Sequence, residues 1–203
     1  MKKIYSTIID AYNLMVTEIS KPIKIFLLKA VLLFLGWKII YTIFLYDNRL
    51  LDTPLTMHIG DATAYVLNLL PGYSNFSSVP TLSNEILEGE RTLSHNSTIF
   101  HNGDKVMGIA TPCNGLELII LYIGFIIAMP HKLIRKILFI IFGVLIIDLA
   151  NIMRCVGLAY IKEEYHPYFN FAHHYLFKIT IYCIIFLLWV AFAKKIKLSN
   201  ENI

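Results

Sequence analysis

The sequence predicts an all-α polytopic membrane protein, with about four transmembrane helices, a short amphipathic outer helix and the signal of an outer β-hairpin. Three observations predict it. Hydrophobic residues are 57% and charged residues only 16% of the 203, with a mean hydropathy of +0.62, whereas a soluble domain carries about 25% charged residues. Four apolar runs reach or approach the ~20 residues a helix needs to cross a bilayer. Lysines and arginines gather beside these runs in a pattern that orients all of them consistently.

Taken in order, residues 1–24 are mixed and basic, and Pro22 breaks any helix there. They lack a compact apolar region followed by a small-residue cleavage site, so an uncleaved anchor is expected rather than a signal peptide. The spans fall at 25–46, 114–129, 133–161 and 175–193, within a single integral membrane domain covering 1–203. In the first span Lys29 can snorkel to the interface. Lys38 lies nearer the middle and is either a snorkelled or interhelical lysine or a functional one. Pro130 ends the second span and opens a short basic loop, with His131, Lys132, Arg135 and Lys136. Lys194, Lys195 and Lys197 follow the last span. The positive-inside rule places both basic clusters and both termini in the cytoplasm, in a multi-pass protein of the cell inner membrane. Residues 47–112 and 162–172 then face outward.

The outer segment has a pattern of its own. Ala62, Tyr65, Val66, Leu69 and Leu70 form a helical stripe, with Asp61 as its expected N-cap and Pro71-Gly72 as its stop. Such a helix is too short to span and is expected on the membrane surface or against the bundle. Asn102-Gly103 between two short runs in 97–110 is a hairpin signal. The sequons at Asn75 and Asn96 read as chance matches.

Composition also excludes functions. The net charge is +4, but the bases lie beside apolar runs and form no basic groove, so nucleic acid is not an expected partner. Three cysteines cannot all pair, and no C-x-x-C spacing occurs, which argues against a disulfide framework and a zinc site.

Three polar signals stand at the edges of the apolar runs. The first is Thr111-Pro112-Cys113-Asn114-Gly115. A helix opening after Cys113 would offer it unpaired N–H groups and a partial positive charge, which favour thiolate and can hold an oxyanion. Glu117 lies one turn deeper, where it can meet a basic partner or oppose the thiolate. Cys113 is therefore either a nucleophile or an inert core cysteine. The second signal is a polar stripe of Asp148, Asn151 and Arg154, which must face the bundle or a watery cleft. The forked donors of Arg154 suit a carboxylate or an oxyanion, and a structural polar network is the alternative. The third is His173-His174, just ahead of the last span. They are either general acid/base groups or interfacial histidines without a task.

In order, separation and shared membrane side, Cys113-Asn114-Gly115-Leu116, then Asn151-Ile152-Met153-Arg154, then His173 with 175–182 after it, resemble the exosortase/archaeosortase family of membrane cysteine transpeptidases. The resemblance covers roughly 111–182. It implies that Cys113, Arg154 and His173 are catalytic, and Asn114, Glu117, Asp148, Asn151 and His174 are read from their positions beside these three as candidate supporting residues. His173 is preferred to His174 because the residues after it align better in that register. No metal or cofactor is implied. The implied partners, besides the lipid bilayer, are secreted proteins ending in a short motif, an apolar helix and a basic cluster. A small permease lined by the polar stripe and a non-catalytic component of an envelope export system are the rival readings.

Overall fold

The computed structural model describes residues 21–45, 50–87 and 90–194. Helix α1, Lys21–Ile40, runs into a wide π-turn at Tyr41–Leu45. Helix α2, Asp52–Leu69, begins with Asp52 and Pro54 in its first turn, where an acidic side chain meets the positive helix end and proline lacks only an orphan N–H. It stops at Leu70, whose backbone is extended, and Pro71-Gly72 turns the chain.

Strands β1, Phe76–Leu87, β2, Glu90–His101, and β3, Asp104–Ile109, form an antiparallel meander in the order β1-β2-β3. The β2–β3 turn has two successive positive φ values, 51° at Asn102 and 92° at Gly103, which match the strand twist and which this residue pair tolerates. The hairpin expected there is present, and β1 extends it to a third strand. Phe76 pairs with His101 in register and stacks on its ring at 4.1 Å.

After a 3₁₀ turn at Thr111–Cys113, helix α3 spans Leu116–Ala128 and helix α4 spans Leu133–Glu164. A continuous helical run, His166–Ala193, completes the described chain. It includes a π-turn at Ala172–Leu176 and helix α5, Phe177–Ala193.

This architecture overturns the expected all-α fold of about four spans. Three antiparallel strands occupy much of the presumed outer loop, and among the described residues one helix, His166–Ala193, is long and apolar enough to cross a membrane. The reasons are physical. Helix α3 has 13 residues, a rise of roughly 20 Å against a hydrocarbon core of about 30 Å. Helix α4 is longer but carries Arg135, Lys136, Asp148, Arg154, Lys162, Glu163 and Glu164, and α1 carries four lysines. The last span was expected to start at 175, whereas helix already begins at 166.

The amphipathic outer helix also differs from expectation. It has 18 residues and starts nine residues earlier, Asp61 lies exposed in its interior, and the stripe residues Tyr65 and Leu69 are exposed. Its buried face is Asp52, Thr56, Ile59, Gly60, Thr63, Ala64 and Leu67, a small-residue face that lets the sheet approach closely. At Gly60 a Cβ would collide with the Ser97 and Ser78 side chains of the sheet.

Two hydrophobic clusters result. One joins Ile59 and Leu67 of α2, Ile99, Met107 and Ile109 of the sheet, and Ile152 to Ala159 of α4. The other joins Tyr122 and Ile126 of α3, Ile147 of α4, and Ile181, Ile185, Leu188 and Phe192 of α5. At the far end of the second cluster Lys136 donates to the Ile127 carbonyl at 2.8 Å and Arg135 to that of Phe192 at 3.4 Å. Cations thereby satisfy terminal carbonyls of α3 and α5. Between the two clusters lies a layer of buried polar side chains.

Candidate functional site

That polar layer collects side chains from α2, the Thr111–Cys113 turn, α4 and the π-turn. Cys113 is half-buried at the end of its turn, whose backbone is closed by Cys113 N–H donating to the Ala110 carbonyl at 2.8 Å. Gly115, the N-cap of α3, has φ +85°, a left-handed conformation that glycine adopts without penalty. A Cβ at this position would also lie 3.1 Å from Nδ2 of Asn151. Asn151 can approach because no side chain intervenes.

Asn151 is 1% exposed and links two site residues. Its Nδ2 donates to the Cys113 carbonyl at 3.2 Å, and its Oδ1 accepts from Nη1 of Arg154 at 3.2 Å. Arg154 is 9% exposed, and its Nε is a buried donor without a partner among the described residues. No described carboxylate lies within salt-bridge distance of it. A buried guanidinium left uncompensated is costly, and an oxyanion or carbonyl arriving there would recover that cost.

His173 completes the group. Its Nε2 is 3.9 Å from Cys113 Sγ, and its ring stacks parallel on Phe169 with centroids 5.9 Å apart. That separation is long for a hydrogen bond, as is usual for acid/base pairs before substrate tightens the site. The π-turn that carries it widens the helix by one residue and so aims His173 inward, while the next residue is exposed. His174 instead engages the Asn170 carbonyl at 3.0 Å.

Cys113, Asn151, Arg154 and His173 are thus brought together. The other expected residues divide. Asn114 is buried beneath the turn, with Nδ2 3.1 Å from Asp52 Oδ1 and 3.3 Å from Thr56 Oγ1, and Oδ1 accepting from Leu116 N–H at 2.9 Å. Glu117 is exposed. Asp148 leaves the stripe, with Oδ2 3.1 Å from Nε2 of His58 on α2. Six residues are not a whole number of turns, so Asp148 and Arg154 point about 120° apart. Sequence reasoning missed Asp52, Thr56 and His58. An Asp-Thr-Pro start at 52–54 was available as a helix-opening signal, but the helix was begun at Asp61 instead.

The arrangement defines a helical membrane protein that carries a thiol, an imidazole and an uncompensated guanidinium at the junction of an apolar bundle and a small sheet. The family model described as transmembrane exosortase (Exosortase_EpsH) matches residues 20–191. The chain belongs to the transmembrane exosortase family, a family of membrane cysteine transpeptidases that act on secreted proteins bearing C-terminal sorting signals. The resemblance drawn from the three motifs is borne out. No curated protein and no solved structure matches the chain.

Proposed function

We propose that the protein is a cysteine transpeptidase or protease that cleaves the sorting tail of secreted proteins, with Cys113 as nucleophile. The observation that carries this reading is the 3.9 Å approach of His173 Nε2 to Cys113 Sγ beside the Nε of Arg154, which is without a partner among the described residues. The thiol proton passes to His173 as sulfur attacks a backbone carbonyl carbon. Arg154 compensates the oxyanion of the tetrahedral intermediate. Collapse breaks the C–N bond, His173 returns the proton to the departing amine, and a thioester remains on Cys113. An amine or water then attacks the thioester, giving a new amide or a free acid and restoring the thiol.

An apolar groove of about 370 Å³ supports the tail's apolar helix as the adjoining part of the substrate. It is lined by Ile146, Leu149 and Met153 of α4 and Phe177, Ile181 and Ile184 of α5, and Arg154 also lines it. Binding energy from this remote segment is available to hold the scissile carbonyl in place. The basic end built by Arg135 and Lys136 lies opposite the sheet, and we assign it to the cytoplasm and the Cys113 end to the outer side.

The test is a secreted reporter ending in a motif, an apolar helix and a basic cluster, co-expressed with the enzyme. Wild type and Cys183→Ser process the reporter, because Cys183 is exposed and remote from the site. Cys113→Ala, inserted at equal level, leaves it uncut. Processing by Cys113→Ala ends this reading.

A further inference from the structure

The least expected group in the polar layer is Asp52, a carboxyl only 3% exposed and with no cation within salt-bridge distance among the described residues. Burying a carboxyl without a counter-charge is costly, and it persists only where its hydrogen bonds are satisfied. Here both oxygens are engaged. Tyr41 Oη donates to Oδ2 at 2.5 Å, and Asn114 Nδ2 donates to Oδ1 at 3.1 Å. The start of α2 adds a favourable helix end. Asn114 passes the constraint on, since its Oδ1 holds the Leu116 N–H at 2.9 Å. The Asp52 contact therefore fixes the turn that carries Cys113 from below, while Asn151 fixes it from the side.

We infer that Asp52 is a positioning residue for the Cys113 nucleophile, acting through Asn114, with Tyr41 orienting the carboxyl. The inference rests on the reading of Cys113 as nucleophile. Its geometry is specific. Asn114 must present its NH₂ to α2 and its oxygen to Leu116, and a carboxylate oxygen on the α2 side fixes that choice. Loss of the acceptor frees Asn114 to flip, which releases the Leu116 N–H and lets the Cys113 turn drift from His173. Displacements of this size are costly to a reaction that depends on alignment. Tyr41 ties the same carboxyl to the end of α1, so α1 enters the site indirectly.

The experiment uses the full chain in membranes, with two readouts per inserted molecule: reporter cleavage and the alkylation rate of Cys113 by iodoacetamide, followed on its own peptide by mass spectrometry. Asp52→Ala, which removes both acceptor oxygens, is expected to lower cleavage on the order of tenfold to a hundredfold and to change the Cys113 alkylation rate. Tyr41→Phe is expected to produce a smaller change in the same direction. Combining Asp52→Asn with Asn114→Asp reverses the donor and the acceptor between the two side chains and keeps the bond from Leu116, at the loss of the Asn114 donation to the residue 52 carbonyl. It is expected to restore both readouts in part relative to Asn114→Asp alone. Normal cleavage per molecule in Asp52→Ala overturns the inference, whether or not the protein accumulates poorly. So does a double variant that restores accumulation but neither readout. If Cys113→Ala still cleaves, the nucleophile assignment fails instead, and the two failures are told apart by that arm.

Discussion

The Asn151 side-chain amide donates to the Cys113 carbonyl at 3.2 Å, tying the C-terminal half of α4 to the turn that ends at the thiol. The same side chain accepts from Arg154, so one buried amide sets the spacing between thiol and guanidinium. Asn151→Leu keeps the branched shape and removes both bonds. It leaves a carbonyl and an Nη1 donor unsatisfied, each costing roughly 1–3 kcal/mol when buried. Lower thermal stability together with a loss of cleavage per inserted molecule is expected. Full activity in a merely destabilised protein would mean that Asn151 supports the fold alone.

Gly115 gives a second, independent handle on the same contact. Gly115→Ala places a Cβ in a left-handed conformation, at a cost of about 1–3 kcal/mol, and pushes it against the Asn151 amide. Gly124, in the interior of α3, has nothing within 4 Å of a Cβ. Gly124→Ala is expected to be neutral or to stabilise by up to about 1 kcal/mol. Melting temperatures of the two variants in one detergent check the contrast. Equal behaviour would show that the tight approach at 115 is not retained in the membrane.

These contacts also mark the limit of what the sequence could disclose. Cys113, Arg154 and His173 were legible because polar, reactive residues stand out against apolar runs. Strand β2 was largely illegible because Asn96, Ser97 and Thr98 are buried without any apolar alternation. The burial of Ser97 and Thr98 is made tolerable by hydroxyl pairs across the sheet, Ser78 with Ser97 at 2.8 Å and Thr81 with Thr98 at 2.7 Å. Asp52 was invisible for another reason. Its partner Asn114 is 62 residues away, and no local period reports such a contact. A stripe read from polarity alone also ignores the 100° step per residue, so it did not show that Asp148 turns toward His58.

The histidine doublet offers a sharp contrast between neighbours. His173 Nε2 faces Cys113 Sγ, while His174 is exposed and spends its Nδ1 on a backbone carbonyl. His173→Ala is expected to reduce cleavage on the order of 10²–10⁴-fold, the usual contribution of a positioned acid/base group. His174→Ala is expected to stay within a few-fold of wild type. Reporter cleavage normalised to inserted enzyme decides, and a dominant effect at His174 would reverse the assignment.

Orientation is open to a chemical test. Cys113 is half-buried, Cys155 is buried and Cys183 is exposed on α5. In a Cys183→Ser background, a membrane-impermeant thiol reagent added to cells with an opened outer barrier is expected to label Cys113. Labelling that requires disruption of the cytoplasmic membrane would invert the proposed sidedness.

Arg154 offers the sharpest test, because among the described residues its Nε is buried and has no partner while Nη1 is held by Asn151. Lysine keeps the positive charge but loses the planar fork, and its single ammonium cannot both hold Asn151 and meet an oxyanion along the Nε direction. Arg154→Lys is therefore expected to cost cleavage about 10²–10³-fold, as for removal of an oxyanion donor, while membrane insertion stays near normal. A purely structural arginine gives the reverse pattern, with poor accumulation and normal turnover in the surviving molecules. Asp148→Asn serves as the control on the same helix. It disturbs the contact with His58 but not the site, and should leave turnover nearly intact. Near-normal specific activity in Arg154→Lys would remove the guanidinium from the mechanism and leave its buried Nε without a catalytic explanation.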